Sequence, residues 1–474
     1  MNTRTLSGTT RLFNHHIHLA YYWLAAAHAI LFFGSFYLAT YLYYLPEGGG
    51  WPATASSMSL SASMFTALLT GALFSLGMYE PKLREGTNGI LLRTVGAFVL
   101  TTLAMTALFY FLPKLHLWRG QFAIAASLSL IGCLGTRRLF DRTVELDAFK
   151  RRVLVLGSGQ AAKQIVERMR RRSDRRGFCI QGFVRVAGEH TVVESGQVLT
   201  LDGALSDYVR ANNIQQVVVA LDDRRECLPG EELMRCRTMG VAVVDILDFF
   251  EQEAGKVLVN YAQPEWFIFS NGFPTSRIYA VFKRAFDIVA AFLLLMVAWP
   301  FMLLTVLAIW WEEGLGAPVI YRQRRVGQDG RIFEVKKFRS MSVDAEGDGK
   351  ARWATPGDSR VTRVGAIIRK LRIDELPQIT NVLAGDMAFV GPRPERPEFV
   401  RSLSDEIPFF AKRHVVKPGI TGWAQLNYPY GASEDDARYK LEFDLYYVKN
   451  QSLFLDFLIL LQTAEVILFG KGAR

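Results

Sequence analysis

Residues 285–311 read AFDIVAAFLLLMVAWPFMLLTVLAIWW, an apolar run long enough to span a bilayer, with Pro300 near its middle. Lys283 and Arg284 precede the run, and a basic stretch follows it. A single kinked span would place the following residues outside the cell, whereas a helix that breaks at Pro300 and turns back would keep them in the cytoplasm. The residues of the run leave both arrangements open.

Four further apolar segments of membrane-helix length occupy the N-terminal third, at 19–45, 58–79, 89–112 and 117–135. Basic residues precede the first segment, lie around the second connection and follow the fourth segment, whereas the first connection has neither Lys nor Arg. Lys114 and Arg119 in the third connection weaken this contrast without reversing it. The positive-inside rule therefore predicts a four-helix transmembrane bundle over residues 1–145, with both ends in the cytoplasm.

A change of pattern begins at Arg151, where RRVLVLGSGQAAKQIVERMRRR combines a buried-type strand, a glycine-rich turn and an amphipathic helix. Further strands alternate with helices, which predicts a Rossmann-like cytoplasmic domain over residues 146–265. Gly157 and Gly159 fit the pattern G-x-G-x-x-A, but the second strand ends without an acid that would hold a ribose hydroxyl. We therefore expect a regulatory or structural domain, in which a nucleotide site is unproven.

The composition narrows the class of protein. The chain has 474 residues, of which 50% are hydrophobic, and a net charge of +10. The four cysteines lack metal-type spacing and the seven histidines form no HExxH motif, which argues against zinc chemistry and His-based triads. The positive charge suits anionic lipid or phosphorylated substrates, and much of it fits the flanks of membrane helices, so we expect no nucleic acid partner.

The stretch LRIDELPQITNVLAGD, residues 371–386, carries two adjacent carboxylates, Asp374 and Glu375, before a short helical pattern. Asp374 has the position of an N-cap, and Gly385 that of a C-terminal stop. On this pattern alone the two acids serve just as well as a cap and a partner of the helix dipole.

The charge around this stretch favours a chemical role. The flanking basic residues are Arg360, Arg363, Arg369, Lys370, Arg372, Arg393 and Arg396. Such a field is suited to holding phosphate and predicts a depressed pKa, so that a carboxylate in it stays ionised. An ionised Asp beside a bound phosphoanhydride can ligate a divalent cation or attack phosphorus, and either role indicates phosphoryl transfer.

The last third has an α/β pattern. Residues 318–321 and 332–337 predict short strands separated by a turn at 328–330, and residues 344–358 form a glycine- and charge-rich loop. Residues 453–469 are strongly apolar, which predicts a helix on the membrane surface or one covering the core.

Seven motifs in a fixed order resemble the bacterial polyprenyl-phosphate hexose-1-phosphate transferases, large monotopic phosphoglycosyl transferases that start exopolysaccharide and O-antigen assembly. They are Y-R-Q-R-R-V-G-Q-D-G (321–330), K-F-R-S-M (337–341), D-S-R-V-T-R-V-G (358–365), L-R-I-D-E-L-P-Q (371–378), G-P-R-P-E (391–395), K-P-G-I-T-G-W-A-Q (417–425) and F-D-L-Y-Y-V-K-N (443–450). The resemblance covers the chain densely from Arg277 onward, and its N-terminal extension also resembles that of the large members.

The resemblance implies transfer of a sugar 1-phosphate from a UDP-sugar to undecaprenyl phosphate, with release of UMP and with Mg²⁺ as cofactor. It implies that Asp374 is the nucleophile that forms a covalent phosphosugar intermediate, that Glu375 is its partner, and that Arg393 binds phosphate. As the carboxylate beside the diphosphate, Asp374 is also the expected metal ligand. By position, further contributors to the anionic pocket are Lys337, Arg339 and Arg372.

The resemblance also implies a re-entrant, helix-break-helix membrane anchor at 277–314 and a cytoplasmic catalytic domain at 315–474. The enzyme is then expected at the bacterial inner membrane, in contact with membrane lipids, and as a homodimer like large members of the family. The break in the family is typically Ser-Pro, whereas this chain has Trp299-Pro300. The serine's hydrogen bonds to freed backbone groups are therefore absent here.

Two other functions fit parts of the sequence. The first is a membrane-bound nucleotide-sugar oxidoreductase or dehydratase that uses the Rossmann-like domain, for which Tyr279 and Lys283 have the Tyr-x-x-x-Lys spacing but lie outside that domain. The second is a non-catalytic polysaccharide-export scaffold, which leaves the Asp-Glu pair unexplained. No residue identifies the sugar.

Overall fold

The computed structural model describes residues 9–12, 15–45, 55–79, 87–112, 118–144, 150–169, 175, 177–186, 188–223, 227–269, 276–342, 360–428, 431 and 433–469. The predicted loop at 344–358 lies outside the described residues. The chain separates between Ala254 and Gly255 into two compact units.

Four long apolar helices open the first unit, after the short strands β1 (Thr9–Leu12) and β2 (His15–His18). They are α1 (Leu19–Tyr44), α2 (Ala55–Ser75), α3 (Thr87–Phe111) and α4 (Arg119–Val144). Each contains a segment long and apolar enough to cross a membrane, so the four predicted segments are confirmed as helices. The fourth runs further than predicted, because Arg137, Arg138 and Arg142 continue the helix beyond its apolar part.

The four helices pack in sequence, and α4 returns against α1. Phe32, Phe36 and Phe65 are fully buried between them. His28 on α1 makes hydrogen bonds of 2.9 Å with the hydroxyls of Tyr79 and Thr136. The outward surfaces expose large apolar side chains, which is the character of helices in a membrane protein.

A five-stranded parallel sheet follows, in the order β5-β4-β3-β6-β7, which confirms the predicted alternation of strands and helices around a parallel sheet. The elements are β3 (Arg151–Leu156), α5 (Gln160–Arg168), β4 (Phe178–Val184), β5 (Val198–Leu199), α6 (Leu205–Ala211), β6 (Gln216–Val219), α7 (Gly230–Thr238), β7 (Ala242–Asp245) and α8 (Ile246–Ala254). The strands run parallel because the connection after each strand, a helix in every case except β4, returns the chain to the same end of the sheet. Leu154, Val217 and Ile214 lie in the core between sheet and helices.

The second unit consists of a long helix and a mixed α/β domain. Its elements are α9 (Pro264–Phe269), α10 (Arg277–Glu313), β8 (Ile320–Val326), β9 (Ile332–Phe338), α11 (Arg363–Lys370), α12 (Ile379–Ala384), β10 (Ala388–Val390), α13 (Pro397–Glu406), β11 (Gly419–Thr421), α14 (Trp423–Asn427), α15 (Glu434–Asn450) and α16 (Leu453–Phe469). Strands β8 and β9 form an antiparallel hairpin around the predicted turn, and β10 pairs in parallel with β11.

The helix α10, which we call the anchor helix, is continuous for 37 residues with Pro300 inside it. A break at Pro300 is therefore not seen. A proline removes one backbone N–H from the helical ladder and crowds the preceding turn, and the apolar residues on either side maintain the helix across it.

Both ends of the anchor helix contact the same α/β domain. Near its start, the guanidinium of Arg284 donates hydrogen bonds of 2.7 Å to the carbonyl of Leu383 and of 2.5 Å to that of Val382. At its end, the carboxylate of Glu312 accepts hydrogen bonds from the backbone N–H groups of Arg363 (2.8 Å) and Val364 (2.9 Å).

The anchor helix has one face on the domain and one outside it. Ala291 and Ile309 lie in two apolar clusters of the domain. On the opposite face Phe292, Met296 and Leu304 are 58%, 67% and 62% exposed. Monomeric soluble proteins rarely expose so long an apolar surface, and such a surface is typical of a contact with a membrane or with another protein.

Helix α16 begins and ends where the sequence predicted. Leu455, Leu458 and Ile459 on it are buried, and Leu460 packs on the cluster that contains Ile379. Of the two predicted roles, the described side chains of this helix thus support covering of the core.

Candidate active site

The two acids lie on a sharp turn between two helices. After α11 ends, Arg372 adopts the left-handed conformation with φ of 59°, and a 3₁₀ turn runs from Ile373 to Gln378 before α12. Such a conformation costs a non-glycine residue about 1 kcal/mol and is often found at functional sites. Gly385, with φ of 93°, ends α12 as predicted.

The prediction that Asp374 is an N-cap is wrong. The N-cap position is Arg372, two residues earlier, and no side chain caps the turn there. Because the left-handed residue is Arg372, Asp374 lies inside the first turn. Its carboxylate therefore does not cap the turn. Sequence pattern did not show this, because a left-handed arginine has no sequence signal of its own.

Apolar contacts hold the turn against strand β9. Ile379 is buried in a cluster with Val335, and Leu376 packs on it from the turn. Asn381 joins the same strand through two hydrogen bonds, since its Oδ1 accepts from Lys336 N (3.2 Å) and its Nδ2 donates to Glu334 O (2.7 Å). These contacts fix the distance between the acids and Lys337, the next residue of β9.

Three cations gather on one of the two acids. Arg393 Nη2 donates a 2.8 Å hydrogen bond to Glu375 Oε1, and Lys337 Nζ lies 3.3 Å from the same oxygen. Arg372 Nη1 lies 3.9 Å from it and its side chain is 42% exposed. The structure thus brings three of the other five predicted site residues around the Glu375 carboxylate.

Asp374 has a different environment. It is buried to the same extent as Glu375, with 9% exposure. Within the described ranges of the chain, its carboxylate has neither a hydrogen bond nor an ion pair. The carboxylate oxygens of Asp374 are therefore free to contact a ligand beside the cations.

The pKa values of the two acids are shifted in opposite directions. Burial, and then the charge of Glu375, raise the pKa of Asp374 above its ordinary value, against the opposing effects of Lys337 and Arg393. Burial also acts to raise the pKa of Glu375, but Arg393 and Lys337 together lower it well below the usual range. The predicted depression of the carboxylate pKa thus holds for Glu375 and is wrong for Asp374, because the cations are bonded to the neighbouring acid.

Burial lowers the pKa of the Lys337 ammonium, although the carboxylate of Glu375 opposes this effect. Arg339, also a predicted phosphate ligand, is directed elsewhere. Its Nε donates a 2.8 Å hydrogen bond to Pro318 O, and the described contacts of its guanidinium do not include either acid. Its role in phosphate binding remains a prediction.

Sequence reasoning missed Gln425, whose side-chain oxygen lies 3.4 Å from Arg393 Nη1. It also missed Arg413, which donates a hydrogen bond to the carbonyl of Arg393, and Asp444, which pairs with Arg413. The signal available was position, because Gln425 closes the K-P-G-I-T-G-W-A-Q motif, but a motif does not show which of its side chains turns toward the site.

A metal at this site has few protein ligands to draw on. The residues that the structure describes include no group of three or more His, Cys, Asp or Glu arranged to hold a metal ion. Mg²⁺, however, is commonly bound by one or two carboxylates together with substrate phosphates. The unpaired carboxylate of Asp374 fits that kind of site.

The glycine-rich turn of the Rossmann-like sheet is occupied by carboxylates of the chain itself. The backbone N–H groups of Gln160 and Ala161 donate to the two oxygens of Asp222 over 2.8 and 2.7 Å. Ser158 N donates to Glu189 Oε2 over 2.7 Å. N–H groups at this position hold a nucleotide diphosphate in dinucleotide-binding domains, so these three donors are already engaged by carboxylates of the chain.

The lysine of the Tyr-x-x-x-Lys pattern has structural partners as well. Lys283 Nζ lies 3.0 Å from Asp287 Oδ1 and 2.9 Å from Asp456 Oδ2, and all three side chains are buried. Lys283 is thus part of the ionic contact that attaches the anchor helix to α16. These contacts do not support the oxidoreductase alternative.

Comparison with known proteins gives two family matches. A model described as bacterial sugar transferase matches residues 278–470, which includes the anchor helix and the two acids. A model described as a CoA-binding domain matches residues 75–241, which includes the carboxylate-filled turn.

Individual relatives extend over different parts of the chain. The UDP-glucose:undecaprenyl-phosphate glucose-1-phosphate transferase of Xanthomonas campestris pv. campestris is 31% identical over 449 residues, which is 90% of each chain. The UDP-N-acetylgalactosamine-undecaprenyl-phosphate N-acetylgalactosaminephosphotransferase of Aeromonas hydrophila is 46% identical over 259 residues, 54% of this chain and 60% of that relative. The undecaprenyl-phosphate galactose phosphotransferase of Salmonella typhimurium is 28% identical over 408 residues, 80% of this chain and 81% of that relative.

Proposed function

The chain belongs to the bacterial sugar transferases, and we propose that it transfers a sugar 1-phosphate from a UDP-sugar to undecaprenyl phosphate, releasing UMP. The relatives named above act on undecaprenyl phosphate, and the longest match covers nearly the whole chain. The product would be the first lipid-linked sugar of an exopolysaccharide or O-antigen.

One observation carries the assignment of roles, namely that Glu375 takes the three cations while Asp374 stays unpaired. A nucleophile must have free oxygens, and a residue that orients cations must be bonded to them. Asp374 is therefore the nucleophile of the proposed reaction. Glu375 holds Arg393, Lys337 and Arg372 where their charges meet the diphosphate.

The reaction consists of two displacements at one phosphorus. In the first, a carboxylate oxygen of Asp374 attacks the phosphorus next to the sugar, and the bond to UMP breaks, so that UMP leaves with the electron pair. In the second, a phosphate oxygen of undecaprenyl phosphate attacks the same phosphorus, and the acyl phosphate bond to Asp374 breaks. The carboxylate is restored and a lipid diphosphate sugar is formed.

Mg²⁺ is part of the proposal. Asp374 would supply one protein oxygen to the ion, and the diphosphate of the substrate would supply others. When bound, the ion neutralises negative charge on the diphosphate.

The anchor helix is proposed to enter one leaflet and leave on the same side. Support comes from the contacts at Arg284 and Glu312, because a helix crossing the hydrocarbon would separate its ends by about 30 Å and only one end would meet the domain. The N-terminal helices α1–α4 are proposed to form a membrane-spanning bundle. The enzyme would then lie in the bacterial inner membrane with its acids at the cytoplasmic surface, where a cytosolic UDP-sugar meets a lipid phosphate.

The sugar is not assigned, because the relatives named above use glucose, N-acetylgalactosamine and galactose donors on the same family framework. The test uses membranes that contain the full chain, undecaprenyl phosphate and Mg²⁺. UDP-glucose, UDP-galactose and their N-acetylated counterparts are supplied one at a time, and UMP release is followed. Release of UMP with one of them and its loss in Asp374→Asn are expected. No UMP with any common UDP-hexose, or undiminished release by Asp374→Asn, would contradict the proposal.

A further inference from the structure

The segment that carries Arg393 is held by its carbonyl groups. Residues 392–395 are Pro-Arg-Pro-Glu, and their four carbonyl oxygens accept hydrogen bonds from Gly419 N (3.0 Å), Arg413 Nη2 (2.8 Å), Arg325 Nη1 (3.1 Å) and Val326 N (2.9 Å) in chain order. The two prolines have no N–H of their own, so a regular ladder cannot fix this segment. Its geometry therefore depends on donors from elsewhere, and the carbonyl of Arg393 depends on Arg413.

Arg413 is in turn held by a buried acid. Its Nη2 lies 2.7 Å from Asp444 Oδ2, and its guanidinium carbon lies 5.1 Å from the ring centre of Phe410. Arg413 is 6% exposed and Asp444 is 1% exposed. Asp444 belongs to the F-D-L-Y-Y-V-K-N motif, for which the catalytic proposal gives no role.

A buried ion pair such as this one is weak evidence for a role in stability. Burial raises the pKa of Asp444 to about 6, although the guanidinium of Arg413 acts to lower it. Because this value lies above the ordinary one, the ionised carboxylate is less favourable in the folded chain than in the unfolded chain, and at neutral pH its charge lowers stability. Buried ion pairs are often no more stable than apolar residues of the same shape.

We propose that Asp444 and Arg413 are positioning residues, which fix the backbone at Arg393 and thereby direct its side chain to Glu375 and the substrate diphosphate. The inference rests on the proposed function. The connection runs from Asp444 to the Arg413 guanidinium, then to the carbonyl of Arg393, and from the side chain of Arg393 to Glu375 Oε1. A guanidinium suits this role because two of its N–H groups can serve an acid and a carbonyl at the same time.

The test is a double-mutant cycle measured on the full chain in detergent, with UMP release as the readout. Asp444→Asn alone is expected to lower kcat/KM for the UDP-sugar about tenfold, because the buried ion pair that holds Arg413 is lost. In an Arg393→Lys background the same change is expected to lower it less than about twofold, because the side chain being positioned is already gone. Arg413→Lys keeps the positive charge but loses the planar arrangement of N–H donors. It is expected to behave like Asp444→Asn in both backgrounds.

Glu442→Gln is the matched control. Glu442 lies on the same helix, is 1% exposed and forms an ion pair with Lys256 over 3.5 Å. Glu442→Gln likewise neutralises a buried carboxylate on this helix, and it should leave kcat/KM within about twofold of the wild type.

Effects of Asp444→Asn and Arg413→Lys that are equally large in both backgrounds, or an equal loss of kcat/KM in Glu442→Gln, would overturn the inference. If the wild type releases UMP but the effects of the two substitutions in the cycle are additive, the positioning role is contradicted and the proposed function is not. A wild type that releases no UMP contradicts the proposed function and the inference with it.

Discussion

Arg393 Nη2 donates a 2.8 Å hydrogen bond to Glu375 Oε1, and not to the adjacent Asp374. Two neighbouring acids with equal burial thus differ in charge environment, since one carries the ion pairs and the other carries none among the described residues. The separate roles proposed for the two acids rest on this difference.

The first prediction concerns the covalent intermediate. Without undecaprenyl phosphate, the wild type is expected to release about one UMP per active chain and to retain the sugar phosphate, because the second displacement has no acceptor. Asp374→Asn is expected to show no such burst, and its turnover should fall by at least about 10³-fold, since the amide is a poor nucleophile. Radiolabelled sugar on the denatured protein is the measurement.

Asp386→Asn serves as its control. Asp386 lies in the same stretch, is exposed, and should label as the wild type does. Stoichiometric labelling of Asp374→Asn would rule out this residue as the nucleophile.

The second prediction concerns pH. The proposed nucleophile must be ionised, so kcat/KM should fall as pH falls through the raised pKa of Asp374. Glu375→Gln removes a negative charge that contributes to this raised pKa, so the acid limb should move to lower pH, while the rate at its plateau falls because the cations lose their partner. Profiles of kcat/KM from about pH 4.5 to about pH 8 test this.

A buffer series at constant ionic strength is needed, because surface charges respond to salt. An acid limb that stays in place or moves to higher pH in Glu375→Gln would show that Asp374 is not the group that titrates.

The third prediction concerns the glycine-rich turn. Since Asp222 fills the N–H groups of Gln160 and Ala161, ADP, NAD⁺ and CoA are expected to leave the melting temperature of the wild type unchanged. Asp222→Asn should destabilise the fold by about 1–3 kcal/mol, because the side chain that accepts the hydrogen bonds at the start of α5 loses its negative charge. Thermal melting of the purified chain measures both effects.

Asp202→Asn is the control for this change, because Asp202 is exposed in the same sheet domain and should be neutral. Saturable stabilisation of the wild type by CoA or ADP would refute the view that the turn is closed.

The fourth prediction concerns the anchor helix. Cysteines introduced at Ser276 and Leu315, just outside its two ends, are expected to react with an impermeant maleimide from the same, cytoplasmic side. The reason is that both helix ends contact one domain. The background has the four native cysteines replaced by alanine, and intact spheroplasts are compared with inside-out vesicles.

Gly49→Cys, in the first connection between apolar segments, should react from the opposite side and serves as the reference. Labelling of Ser276→Cys and Leu315→Cys from different sides would mean that the anchor helix crosses the membrane.

Much of the fold was predictable because it follows from local patterns. The apolar segments gave the long helices, the strand-helix alternation gave the parallel sheet, and the turn at 328–330 gave the β8–β9 hairpin. The continuity of the anchor helix was not predictable, because Pro300 alone does not decide whether neighbouring turns hold a helix together.

The sequence identified which residues belong to the site, but not which acid pairs with the cations. The acids, Arg393 and Lys337 were identified by sequence, and the structure brings them together. The assignment of Asp374 as a cap failed because a single left-handed residue, Arg372, moved the start of the turn.

The sequence by itself determined that this chain has apolar helices of membrane length, a Rossmann-like sheet and a basic α/β domain with an Asp-Glu pair, because hydrophobic periodicity and motif spacing are local properties. The tertiary structure decided which acid carries the cations, which carboxylates fill the glycine-rich turn, and which domain receives both ends of the anchor helix. These depend on contacts between residues far apart in the chain, where distances of a few ångströms set burial and charge, and no local pattern encodes such distances.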